Sequence, residues 1–353
     1  MNELLNTYEQ LSEKEQNALF RFLLPTNFGG EEGNLDDYCK AISSISCKDG
    51  SAGWRLMIGG ALNGAVAAFA SDEAVGKIFA NRSDGDAPVV IAGQTSPRAQ
   101  VTLQDNQFLL SGKFKFGSGL KQANWVLCGF NDPSNDNHMV AIVPKRKVDV
   151  KGGWNTFGLS KTDSLDYEIK SIKISPEFVF LHDADKPLRG SSTFCCGLAT
   201  VMLAGHIGLA IGLAKQALFD VTQLSNLERR SGKLADRDDF LIDYGRQLAT
   251  LKAVVALSQS SLKAADNAAR SQSFGQEHKD DVRIAAIFAT ESAKNIVRFV
   301  FDYGGMVSAS KTSRLNKIFR DMHVASQHLL VNSSQYKPIV NRVIENLNDS
   351  RKS

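Results

Sequence analysis

Cysteine is scarce in this chain and carries no pattern. Its five cysteines (Cys39, Cys47, Cys128, Cys195, Cys196) are odd in number and lack any Cys-x-x-Cys spacing, so neither a disulfide framework nor a zinc site is indicated. The adjacent pair Cys195-Cys196 reads as buried packing rather than redox chemistry. Charge of one sign is equally lacking. A net +3 over 353 residues, with bases scattered among acids, excludes a nucleic-acid footprint. The cluster Lys145-Arg146-Lys147 reads as a solvated loop. No basic region followed by an apolar core opens the chain. MNELLNTYEQLSEKEQ is acidic and amphipathic, which is not the pattern of a signal peptide, and a cytoplasmic location is expected. One nearly uncharged stretch, Leu198 to Ala214, is short, stands alone and contains Gly205, His206, Gly208 and Gly212, so a buried helix is expected rather than a membrane span. There is no internal repeat and no low-complexity segment.

What is present is ordinary globular material: 43% apolar and 22% charged residues, in a chain long enough for two or three packed layers or two domains. The hydrophobic period changes twice. Up to about Arg82 it is helical, with Leu4, Leu5, Leu11, Leu19, Phe20, Leu23 and Leu24 suggesting a first helix or pair stopped by Pro25. Asp36 to Ile45 and Ser51 to Ala70 suggest two more. From about Ala87 to Asp183 the period is two. Strands are expected at 89–92, 100–104, 108–116, 125–130, 139–143 and 166–174, with Asp105-Asn106 as a hairpin turn. Short strands separated by turns imply an antiparallel barrel or sandwich. From Thr193 the period is helical again, with helices expected over roughly 193–230, 236–272, 278–304 and 312–331 and a short tail helix after Pro338. The expected domains are a helical one over 1–86, a β-domain over 87–190 and a helical bundle over 191–353. A flat ligand would fit where the β-domain meets the bundle.

The stretch GKFKFGSGLKQANW, Gly112 to Trp125, is the most informative. It reads as a strand ending in a tight turn, where Phe116 and Ser118, two residues apart, would share a face and meet one ligand together. Gly117 and Gly119 would let backbone approach that ligand. This segment resembles the flavin-contacting strand of the acyl-CoA dehydrogenase superfamily, in Gly112, Phe116, Ser118, Ala123, Asn124 and Trp125. Other motifs of that family are matched in order. They are Leu24-Pro25 through Gly29-Gly30, Asp49-Gly50-Ser51-Ala52-Gly53-Trp54, Gly158 through Asp166, Tyr303-Gly304-Gly305, and Phe319-Arg320-Asp321. The resemblance spans essentially the whole chain. It implies an α+β protein of the acyl-CoA dehydrogenase-like fold: an N-terminal helical domain, a central antiparallel β-barrel domain and a C-terminal four-helix bundle.

Within that superfamily, three features favour the flavin-dependent monooxygenase branch over the dehydrogenases. Nine residues after Arg320, where many dehydrogenases carry their Glu base, stands Leu329. Eight residues after Arg320 stands His328, where the monooxygenases place a His facing the flavin. Thr162, Ser164 and Asp166 match that branch's Thr-x-Ser-x-Asp. The resemblance implies the oxygenase component of a two-component monooxygenase. It would take reduced flavin (FMN or FAD) from a separate flavin reductase and use O2 to oxygenate a small organic substrate. It also implies a homotetramer, a dimer of dimers. Ser118 and His328 are the expected catalytic pair: a hydroxyl for the flavin's central nitrogen, and an imidazole near neutrality that hydrogen-bonds activated oxygen or takes a substrate proton.

Phe116, Gly117 and Ser118 are the expected cofactor-contacting residues, with Gln94, Thr95 and Ser96 at the pyrimidine edge and Trp154 as a wall of flavin or substrate. Arg229, in Glu228-Arg229-Arg230-Ser231-Gly232-Lys233, resembles an Arg-bearing turn that reaches a flavin pyrophosphate across a subunit interface. His206, in an apolar helix, is expected to be core packing. Arg320 is expected to be structural. Two other readings stay open: a dehydrogenase with a relocated base, Asp243 or Glu291, and a non-catalytic scaffold.

Overall fold

Side-chain caps set where the first helices begin. In the computed structural model, which describes residues 18–79, 87–229 and 232–350, the Asn34 side chain accepts from the Asp37 N–H and opens α1 (Leu35–Lys48). The Asp49 carboxylate accepts from Ser51 and Ala52 N–H and opens α2 (Gly50–Phe69). A short α3 (Asp72–Phe79) follows. The first helix expected from Leu4, Leu5 and Leu11 lies outside the described residues.

Seven strands form one sheet in the order β5-β6-β2-β1-β3-β4-β7. They are β1 (Ile91–Gln104), β2 (Gln107–Gly117), β3 (Trp125–Asn131), β4 (His138–Pro144), β5 (Asp149–Lys151), β6 (Leu165–Ile174) and β7 (Val179–Leu181). The sheet is not wholly antiparallel, as the sequence suggests, because β1 runs parallel to β3. The two segments expected at 89–92 and 100–104 are one strand. Its first half pairs with β3 and its second half with β2, and the change comes at register shifts around Pro97, which has no N–H to give a ladder. Asp105 and Asn106 both have positive φ and close the expected two-residue hairpin.

The second helical part comprises α4 (Gly197–Ser225), α5 (Asp238–Arg270), α6 (Gln276–Gly304), a one-turn α7 (Met306–Ala309), α8 (Arg314–Ala325) and α9 (Tyr336–Ser350). The segment Ser192–Ser225 has the length and apolarity to cross a membrane, yet is largely buried inside the fold. It packs on α1 at backbone contact, since a Cβ on Gly208 would lie 2.3 Å from the Cys39 carbonyl oxygen. The helix expected over 312–331 stops at Ala325. Beyond it, polar side chains bond their own backbone: His328 Nδ1 accepts from Leu330 N–H and Asn332 Oδ1 from Ser334 N–H. His328 therefore stands in a turn, and not on one helix with His323.

Candidate active site

Trp54 is the hub of the site. It comes from the buried helix α2, whose far end is fastened to the sheet by Asn63: the amide donates to Val89 C=O and accepts from Ile91 N–H. Asn124 repeats the clamp from the other side, accepting from Val90 N–H. The indole Nε1–H of Trp54 donates to Ser118 Oγ at 2.9 Å. Its ring meets His206 of α4 edge-on at 5.4 Å and His328 at 5.7 Å, and the two imidazole centroids are 4.5 Å apart. Sequence separations of 64 and more are thus closed by one side chain.

Behind Ser118 runs a row of buried hydroxyls. Ser118 Oγ is 2.8 Å from Ser164 Oγ, Ser164 Oγ is 2.8 Å from Thr162 Oγ1, and Thr162 Oγ1 donates to Leu159 C=O at 2.8 Å. The same carbonyl accepts from Trp154 Nε1–H at 2.8 Å.

The segment carrying these groups is stapled to α2 and α8. The Asp321 carboxylate accepts from Leu159 N–H at 2.6 Å and pairs with Lys317, which also reaches Asp49 at the start of α2. Gly158 is required here, since a Cβ would stand 2.1 Å from the Arg320 carbonyl oxygen. Arg320 donates to Asn316 and to the Phe157 carbonyl, a structural role as expected.

Both imidazoles are neutral over the physiological range. Burial pushes His328 down to about 4. Burial, with His328 as neighbour, pushes His206 well below the ordinary histidine value. Because His328 Nδ1 accepts from Leu330 N–H, its ring proton resides on Nε2, which is a donor. An imidazole near neutrality, expected from the sequence, is replaced by a weakly basic donor.

Phe116 departs from simple strand alternation. It has φ +63° at a register shift between Phe114 and Gly117, so its ring turns outward, 59% exposed, and meets Trp154 at 6.0 Å. Ser118 turns inward and is buried. Gly117 lies against Tyr167. Gln94 Oε1 and His206 Nε2 are buried without a partner among the described residues, each an atom able to take a polar group. Thr95 is engaged on the other side: its carbonyl contacts His138 Nε2 and its hydroxyl His182 Nε2. Ser96 is exposed. Arg229 donates to the Tyr303 carbonyl at the end of α6, and Arg230 and Ser231 lie outside the described residues.

His138, His182 and Asp183 are close enough to hold a cation. The two rings, however, stack at 3.9 Å and 12°, so their in-plane lone pairs run side by side instead of converging. Asp266, in an open recess with Asn34, Lys263 and Arg270, accepts from Leu35 and Asp36 N–H and serves as a helix cap. All five cysteines are free, and burial pushes the Cys196 thiol up to about 12.

His206 is buried, as expected from its apolar helix, while sequence reasoning gave Trp54, Thr162 and Ser164 no role of their own. The signal available for these three was their place in the motifs 49–54 and 158–166.

Residues 204–333 match the family model of the acyl-CoA dehydrogenase C-terminal domain, a span that includes His206 and His328. The chain is 25% identical over 326 residues to the indole-3-acetate monooxygenase of Acinetobacter baumannii, covering 88% of this chain and 80% of that protein. It is 23% identical to the oxygenase component of the FADH2-dependent resorcinol hydroxylase of a Rhizobium species, over 89% of this chain and 81% of that one. The crystal structure of the 3-HSA hydroxylase from Rhodococcus sp. RHA1 superposes with a TM-score of 0.84 at 18% identity, covering 95% of this chain and 89% of that one. Residues 204–333 are thus similar to the acyl-CoA dehydrogenase C-terminal domain, and over most of its length the chain is similar to monooxygenases, among them an FADH2-dependent oxygenase component.

Proposed function

We propose that this protein is the oxygenase component of a two-component flavin-dependent monooxygenase, supplied with reduced FMN or FAD by a separate reductase and acting on a small organic substrate. The observation that carries the reading is the set of groups around Trp54: one hydroxyl and two neutral imidazoles, with no carboxylate among their contacts within the described residues. Removing a proton from an acyl-CoA needs a carboxylate base at the ring. The position where many dehydrogenases keep it is Leu329, 69% exposed. Asp243 is engaged by Tyr303 and Arg246, and Glu291 faces Tyr336.

The residues fit a flat ring with polar edges. Phe116 and Trp154 offer aromatic faces, Ser118 a hydroxyl for the central nitrogen, and the unpartnered Gln94 an amide for the pyrimidine edge. Thr95, Ser96 and Gly117 are the further candidates for contact with the ring, and Arg229 is the candidate for a phosphate. Reduced flavin supplies the two electrons with which O2 is divided, one oxygen atom to the substrate and the other to water. His328 donates its Nε2–H to oxygen developing negative charge, and Trp54 with the buried helices α2 and α4 excludes water.

The finer layout fits the same reading: a helical N-terminal domain over 1–86, a β-domain over 87–190 and a four-helix bundle within 191–353, assembled as a homotetramer in the cytoplasm. The test supplies anaerobically reduced flavin, then O2, with a panel of phenols, indoles and organosulfur compounds. Oxygenated product is expected from at least one class, and His328→Ala should divert most of the oxygen to free hydrogen peroxide. A tightly held oxidised flavin bleached by acyl-CoA, or no affinity for flavin in either redox state, would overturn the proposal.

A further inference from the structure

The row of hydroxyls behind Ser118 has a fixed direction. Three oxygen–oxygen contacts, each 2.8 Å, link Ser118, Ser164, Thr162 and the Leu159 carbonyl. Each such contact needs one proton, and three hydroxyls supply one apiece. A carbonyl only accepts, so the Thr162 proton points to Leu159. Thr162 then has no proton left for Ser164, so Ser164 donates to it. By the same step Ser118 donates to Ser164. At the other end the indole N–H of Trp54, which only donates, fills one acceptor position of Ser118. Trp54, Ser118, Ser164 and Thr162 are all buried, so water is not there to break the order. Ser118 keeps one free lone pair and no free proton.

We infer that Trp54, Ser164 and Thr162 lock Ser118 as a hydrogen-bond acceptor and so make the site select the reduced flavin, whose N5 carries a proton, over the oxidised flavin, whose N5 does not. The inference rests on the reading that Ser118 faces the flavin's central nitrogen, and it assigns Ser164 and Thr162 as positioning residues. Toward reduced flavin, N5–H meets the lone pair. Toward oxidised flavin, two lone pairs face each other, which forfeits a bond and leaves both acceptors desolvated. An oxygenase that must accept reduced flavin and release the oxidised product gains from that polarity.

The test measures dissociation constants of reduced (anaerobic) and oxidised FMN and FAD, together with the midpoint potential of the bound flavin. Wild type should hold reduced flavin more tightly. In Ser164→Ala the Ser118 proton loses its acceptor and can turn to the oxidised N5. Oxidised flavin should bind about tenfold tighter with little change for the reduced form, and the potential should fall by about 30 mV for this two-electron couple. The near-isosteric Thr162→Val should move both readouts the same way by freeing the far end of the row, and it carries the test if Ser164→Ala folds poorly. Ser118→Ala should instead weaken the reduced form. A general loss of structure would weaken both forms together and leave ratio and potential in place. If ratio and potential stay at wild-type values in Ser164→Ala and Thr162→Val while Ser118→Ala weakens reduced flavin, the polarity inference fails and the function stands. If Ser118→Ala moves neither affinity, the placement of Ser118 at the flavin itself fails.

Discussion

His206 and His328 hold their ring centroids 4.5 Å apart beside Trp54, where burial disfavours a positive charge on either ring. Burial lowers His328 to about 4 from an ordinary value of 6.5, and burial with His328 as neighbour lowers His206 well below that ordinary value. The unfolded chain therefore binds more protons than the folded one between those two values. Above about pH 6.5 both states are neutral at His328 and nothing is lost. As the pH falls from 6.5 toward 4 the folded state loses ground, by about 3 kcal/mol from His328 alone once the window is crossed. Urea unfolding at a series of pH values should show this slope, and His328→Gln should flatten it. An unchanged acid slope in that variant would contradict the burial of a neutral ring.

At the scale of elements, the site depends on a staple it does not contain. Asp321 joins the 158–166 segment to α8 through Leu159 N–H, and Lys317 joins α8 to the N-cap of α2 through Asp49. Asp321 is 2% exposed, so Asp321→Ala leaves a buried N–H and an ammonium short of a partner. A loss of about 3 kcal/mol is expected in chemical denaturation. Flavin affinity should fall with it, because Thr162 and Ser164 ride on the stapled segment. Gly158→Ala should cost about 1–3 kcal/mol by forcing that segment off the Arg320 carbonyl, read as a lowered thermal midpoint.

For the whole molecule, α9 has one face that the described residues leave uncovered. Ile339 is buried and Arg342 pairs with Asp280 at the base of α6, which holds the helix in place. Val340, Val343, Ile344 and Leu347 follow the i, i+3, i+4, i+7 rule and are each about half exposed. In the proposed homotetramer this stripe is expected to be a subunit contact. Val343→Asp with Leu347→Asp should reduce the mass measured by light scattering from tetramer to a smaller species, with the fold retained by circular dichroism. A tetramer that persists in that double variant would place the contact elsewhere, and a wild-type monomer would remove the tetramer from the proposal.

The sequence by itself determined the elements. Periods of 3.6 and 2 report which face of a segment is buried, so α1, α2, α5, α6 and the strands β2, β3, β4 and β6 are legible from residue spacing alone. The ordered motifs made the resemblance to the superfamily legible too. Tertiary structure alone decided the direction of β3 against β1, the end of α8 before His328, and the outward turn of Phe116, because each depends on a local bulge or a side-chain-to-backbone bond that outweighs periodicity. It alone decided the site as well. Proton direction along Ser118, Ser164 and Thr162 follows from which groups stand at the two ends of the row, and Trp54 Nε1 and the Leu159 carbonyl meet it only in space.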